Sequence, residues 1–202
     1  MKKITEKQEN ISARLYRKKL SAREIATKLG LSLSQVYDAL ERKLVNRRTS
    51  VEQNKIRFLK SPLSFKYPSK PSKKQQLLIT AALMLYRGEG AKTGTTVDLA
   101  NSDPGTLKVF LSFLRKVCKI KEKRLKLYLY CFSKQDINQL IGFWSKFLKV
   151  KESNFTKPYV RKTRTTLTRT MRHGVLHIRY SDKRLLEKIL ASSEELIQRL
   201  SK

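Results

Sequence analysis

The chain has 202 residues, and its 46 Lys plus Arg outweigh 16 Asp plus Glu, leaving a formal charge of +30 over a length that suffices for one sizeable core or two small ones. That field exceeds any need of solubility and attracts polyanions. It favours nucleic acid over an anionic membrane surface, because the basic residues are spread over loops and strand-like segments rather than along one amphipathic helix. No apolar run approaches the ~20 residues that span a bilayer and the first residues lack a signal-peptide core, so the expectation is a cytoplasmic protein with no membrane partner.

The first fifty residues read as helices around a tight turn. In "SAREIATKLGLSLSQVYDALERKLVNRR", Ser21 with Glu24 and Ser32 with Gln35 fit capping boxes. Gly30 ends the first helix, and Ile25, Ala26, Leu29, Leu31, Val36 and Leu40 supply a shared apolar side. An earlier helix over residues 8–17, with Ile11 and Leu15 inward, completes a three-helix core. Ser21, Glu24, Ile25, Ala26, Leu29, Gly30, Ser32, Val36 and the closing Val45-Asn46-Arg47-Arg48 resemble the helix-turn-helix of serine-recombinase C-terminal domains and of sigma-factor region four. The resemblance implies that residues 33–43 enter the DNA major groove and present Ser32, Ser34, Gln35, Tyr37, Asp38 and Arg42. Gln35 is the candidate for bidentate pairing with adenine, and Arg47 and Arg48 for a phosphate strand or a minor groove.

Residues 51–76 read as a basic linker. Pro62, Pro68 and Pro71 rule out a continuous helix, and Phe58, Phe65 and Tyr67 are interleaved with lysines. Either a solvated tether or a strand lying along a DNA backbone fits that composition.

From residue 77 the pattern alternates between helix and strand. Residues 77–88 are too apolar all round for a surface helix; "TTVDLANSD" has strand alternation; "GTLKVFLSFLRKVCKI" puts Leu107, Phe110, Leu111, Leu114 and Val117 on one helical face. In "KRLKLYLYC", Leu125, Leu127, Leu129 and Cys131 point one way, and Arg124, Lys126, Tyr128 and Tyr130 the other, as a cationic and aromatic outer face. A second pass follows: "INQLIGFWSKFLKV" as helix, "KPYVRK" and "HGVLHIRYSD" as strands, and "KRLLEKILASSEELIQRL" as a closing helix. On these strands Tyr159 with Arg161, and His177 with Arg179, extend the basic face, and Lys162 and Arg164 follow it. His173 and His177 are placed on one strand face without an acidic partner in sequence, so DNA contact or plain surface is expected of them. Asp103 and Asp182 read as helix caps. Cys118 and Cys131 read as reduced core thiols.

"LMLYRGEG" followed by a strand resembles the LAGLIDADG motif of homing endonucleases. The resemblance implies two αββ-type halves about a twofold, motif helices at the centre, and a sheet saddle over the major groove. It also implies Glu89, backed by Gly90, as the acid that would hold magnesium. The chain departs from the family in Met84 and Arg87, and in Phe147 where a second acid belongs. The expected fold class is therefore α+β: a three-helix helix-turn-helix domain over 1–50, the linker over 51–76, and a pseudo-twofold LAGLIDADG-like domain over 77–202. The expected function is sequence-specific binding of double-stranded DNA without a cofactor, as a regulator that has lost cleavage. The alternatives are an endonuclease using Glu89 and Mg, which nicks alone or cuts as a homodimer, and an RNA-binding or structural protein on the same basic sheet.

Overall fold

A computed structural model describes residues 4–162 and 171–202. The chain forms two compact units, divided between Pro62 and Leu63.

In the first unit, α1 (Glu6–Arg17), α2 (Ala22–Leu29) and α3 (Leu33–Arg42) pack mutually around Leu15, Tyr16, Ile25, Val36 and Leu40. Each begins on a hydroxyl cap: Thr5 with Gln8, Ser21 with Glu24, and Ser32 with Gln35 exchange reciprocal hydrogen bonds. Gly30 closes α2 at φ 65°, a left-handed conformation that glycine adopts without the backbone strain of an L side chain as the chain turns into α3. The segment expected to be a linker holds a fourth helix, α4 (Ser50–Lys60), opened by a capping box of Thr49 and Glu52 and closed before Pro62. None of its side chains is buried.

The second unit is α+β. In chain order it contains α5 (Lys73–Glu89), β1 (Val97–Asn101), α6 (Pro104–Lys116), β2 (Leu125–Phe132), α7 (Ile137–Leu148), β3 (Tyr159–Arg161), β4 (Val175–Tyr180) and α8 (Lys183–Leu200). It begins earlier than expected. Ser64 and Phe65 are buried in it, the Ser64 hydroxyl donates to Asp182 at 2.5 Å, and the Lys66 amide donates to the Cys118 carbonyl at 2.8 Å.

The sheet runs β1-β4-β2-β3. Strand β4 pairs antiparallel with both β1 and β2, whereas β2 and β3 are parallel. The α6 and α7 crossovers return the chain to the same end of the sheet, so β1, β2 and β3 share a direction and β4 is inserted against them. The expected pseudo-twofold would exchange β1 with β3 and require β2 and β3 to be antiparallel, whereas they are parallel. The two repeat helices have their main packing partners elsewhere. Helix α5 packs on α6 and α8, and α7 on α6.

One face of the sheet is sealed. Val97, Leu99, Leu125, Leu127, Leu129, Cys131, Leu176, Ile178 and Tyr180 are fully buried against Tyr86, Phe110, Phe113, Trp144 and Ile189 of the helices. Cys118 and Cys131 are free thiols in this core, and burial pushes Cys118 up to about 12. Asp103, Asp136 and Asp182 cap α6, α7 and α8. The glycine of "GEG" has a packing reason. A Cβ on Gly90 would sit 2.5 Å from the Tyr86 ring, over which the chain turns from α5 toward β1. The Tyr86 hydroxyl locks that corner by donating to the Ala91 carbonyl at 2.7 Å and accepting from the Asp98 amide at 3.3 Å.

Two substitutions test this description by urea unfolding. Gly90→Ala is expected to destabilise the chain by about 1–3 kcal/mol, because a buried aromatic ring must move. Asp182→Ala is expected to cost about 1–3 kcal/mol, since it removes the α8 cap and takes the carboxylate acceptor from the buried Ser64 hydroxyl, leaving Tyr180 Oη as its neighbour. A loss below about 0.5 kcal/mol in either case contradicts the packing described.

Candidate nucleic-acid interface

Strand alternation leaves the sheet's second face to solvent, and the register orders its residues in rows. Asp98, Arg179 and Lys126 lie side by side across β1, β4 and β2; Ala100, His177 and Tyr128 form the next row; Val175, Tyr130 and Tyr159 the third; Phe132 and Arg161 the last. Three interstrand steps of ~4.8 Å make the face about 14 Å across, comparable to the ~12 Å major groove.

The face is organised by one carboxylate that the sequence reading did not pick out. Asp98 sits beside His177 and Arg179: its Oδ1 is 2.9 Å from His177 Nδ1, and its Oδ2 accepts from Arg179 Nε at 2.7 Å. Burial pushes the Asp98 carboxyl up, but the hydrogen bonds and charges of His177 and Arg179 together outweigh it and hold the group below its ordinary 3.8. The aromatic partners follow from this anchor. His177 meets Tyr128 edge-on at 5.6 Å, and the Arg179 guanidinium lies over the Tyr128 ring at 5.5 Å. One row away Tyr130 and Tyr159 stack at 4.8 Å, with Tyr159 48% exposed.

Other expected contacts divide into those that face solvent and those already engaged. Lys126, Arg161 and Lys162 are exposed on or beside the face. Arg124 lies in a 3-10 turn (Glu122–Arg124) at the start of β2, where its guanidinium donates to the Ser181 carbonyl and lies over Tyr180, so it braces the sheet end. Arg164 lies outside the described residues. His173 precedes β4 rather than sharing its face. It stacks on Phe143 at 3.7 Å, and its carbonyl accepts from Trp144 Nε1 at 2.8 Å. Beside Lys126, a cavity of about 550 Å3 gathers Lys123, Lys149 and Lys151, none of which the strand pattern singled out. They come from two segments, the turn before β2 and the connection after α7, and only folding brings them together.

In the first unit α3 exposes Ser34 and Asp38, with Tyr37 half-buried under the Arg47 guanidinium at 4.4 Å. Ser32 and Gln35 are occupied by the cap: Gln35 Oε1 accepts from the Ser32 amide at 2.9 Å, so bidentate pairing with adenine requires breaking it. Arg42 pairs with Glu9 at 2.7 Å across to α1. Arg48 is a structural pin rather than a free arm. It donates to the Tyr16 and Leu20 carbonyls at 2.5 and 2.8 Å and lies 3.8 Å over the Tyr16 ring.

Glu89 ends α5 exposed to solvent. No group of three His, Cys, Asp or Glu side chains able to hold a metal ion comes together among the described residues. Among the described residues no helix is long and apolar enough to cross a membrane. No family model, curated protein or solved structure matches the chain.

Because the Asp98 pKa is depressed, its pairing stabilises the fold above the unfolded value of 3.8 and is lost as pH falls through the lower folded-state value. Asp98→Asn is expected to lose about 1–2 kcal/mol at neutral pH and to lose less further stability than the parent on acidification below 3.8. Urea titrations at a series of pH values check this, and identical acid limbs would remove Asp98 as organiser of the face.

Proposed function

We propose that this protein binds double-stranded DNA through two surfaces: α3 of the first unit, acting as the reading helix of a helix-turn-helix, and the open face of the sheet, acting as a saddle of LAGLIDADG type. The observation that carries the reading is that open face, where Lys126, Arg161, Arg179 and three tyrosines project from a sheet whose other side is sealed. Its one acid, Asp98, is consumed by His177 and Arg179, so the face offers phosphates a net positive surface with a fixed geometry. The charge of +30 supplies the long-range attraction.

On this reading the exposed cations hold phosphates and α3 supplies base contacts through Ser34, Tyr37 and Asp38, with Arg47 beside them. Gln35 and Ser32 position the helix. An Asp38 carboxylate accepts from a cytosine amino group but repels phosphate, so it favours a groove-inserted helix over one lying on the backbone. The role on this reading is that of a regulator rather than a nuclease, since the second sequence copy carries Phe147 where a LAGLIDADG nuclease has its second acid.

Fluorescence anisotropy against a duplex selected from random sequences tests the proposal, with single-stranded DNA and duplex RNA as competitors. With about six phosphates neutralised, log affinity should fall with a slope near −5 in log salt. Lys126→Ala and Arg161→Ala should each flatten that slope by about 1 without changing sequence preference, whereas Asp38→Ala should relax preference at one base pair, by about 1–3 kcal/mol. A flat salt response, or stronger competition by RNA, overturns the duplex-DNA reading. Supercoiled plasmid carrying the selected site should stay intact in magnesium; nicking that Glu89→Gln abolishes would establish the endonuclease instead.

A further inference from the structure

The helix layer, on the opposite side of the sheet from the open face, carries a groove that the DNA reading leaves unused. It runs between the first half of α5 and α6 and has a volume of about 860 Å3. Its floor includes Leu77, Ala81 and Val109, and its margins are Lys74, Lys108 and Lys116; no acidic side chain lines it. Leu77 is 74% exposed and Val109 36%, although both stand on helices whose other faces are fully sealed in the core. Lys108 rests its ammonium 4.8 Å from the centre of the Phe147 ring, which restrains the cation without neutralising it.

Leu77 and Ala81 are one helical turn apart on α5, and Val109 faces them from α6, so the floor is a strip parallel to the helices with a cation-bearing margin. A third helix seated in that strip would bury Leu77 and complete ridge-into-groove packing on two neighbours at once. The charge decides which helix. A second copy of this chain docking by the same patch about a twofold would bring two sets of three lysines together across a desolvated interface, and like charges so placed oppose association. An acidic helix meets the same lysines with opposite sign. We propose that the α5–α6 groove is a docking site for an acidic amphipathic helix of a partner protein, which would bind while the sheet face remains free for DNA.

The test uses the full chain and a labelled synthetic helical peptide about five turns long, with leucines along one face and glutamates on the other. Two control peptides have the leucines scrambled, or lysines in place of the glutamates. The acidic leucine-faced peptide should bind at least tenfold more tightly than the scrambled one. Leu77→Ser with Val109→Ser should weaken it at least tenfold, and so should Lys108→Glu with Lys116→Glu. The charge-reversed chain should gain affinity for the lysine-faced peptide, a rescue that a misfolded variant cannot give. Equal binding of the scrambled peptide, or no effect of either double substitution, overturns the proposal by reducing the groove to general charge attraction. Self-association in sedimentation velocity that Leu77→Ser abolishes overturns it in favour of a second copy. DNA affinity measured on the charge-neutral Leu77→Ser, Val109→Ser variant should be unchanged, so the outcome is independent of the DNA reading.

Discussion

The constraint on which the second unit depends is one-sided burial of a four-stranded sheet. Every inward residue of β2 and β4, from Leu125 to Cys131 and from Leu176 to Tyr180, is fully enclosed by the helix layer. A period of two then leaves no choice about the alternate residues: Lys126, Tyr128, Tyr130, His177 and Arg179 must leave the core on the other side. A slip of one residue would put lysine and arginine into a hydrocarbon interior, at a cost no local contact offsets. The composition of the open face is therefore tied to the core. Its residues are fixed in register with the buried ones.

Concentrating cations on such a face raises a problem of mutual repulsion, since Arg179 and Lys126 stand directly opposite each other in register. Asp98 relieves it from the neighbouring strand. By taking the Arg179 guanidinium and His177 together, it leaves Lys126 to face solvent and fixes the ring of Tyr128 between them. The same division of labour runs through the chain. Arg48, Arg42, Arg115 and Arg124 close turns and helix ends through carbonyls and carboxylates, whereas Lys126, Arg161, Lys162 and Arg47 remain at the surface. A planar guanidinium with several fixed donors suits bracing, and a large positive charge is built without leaving every arginine idle.

The corner after α5 illustrates how a motif can have two sources. "YRGEG" resembles a metal-bearing helix end, yet Gly90 is required by the Tyr86 ring, Arg87 pairs with Glu194 of α8 at 3.1 Å, and Tyr86 ties the turn to Asp98. Local contacts account for Tyr86, Arg87 and Gly90, whereas Gly88 and Glu89 stand exposed, Glu89 with no described cluster around it. The parallel β2–β3 pair, beside two antiparallel pairs, and the packing of α5 on α6 and α8 make the described architecture of this unit asymmetric.

Local chemistry made much of this legible from the residues alone. Hydroxyl caps with a glutamine or glutamate three positions later, the left-handed Gly30, the caps Asp103 and Asp182, and the alternation in "KRLKLYLYC" act within a few residues of themselves, so periodicity and spacing suffice to find them. Helix α4 carries the same signal in Thr49 and Glu52, although the prolines beyond it give the whole segment the composition of a linker. What only the tertiary structure decided depends on partners distant in sequence: Asp98 meeting His177, Arg48 closing on Tyr16, Ser64 joining Asp182, and strand β4 entering between β1 and β2. A side chain's charge and periodic face are set by its own neighbourhood. Whether that charge is left for a ligand or used up inside the fold is set by which distant segment the core brings alongside it.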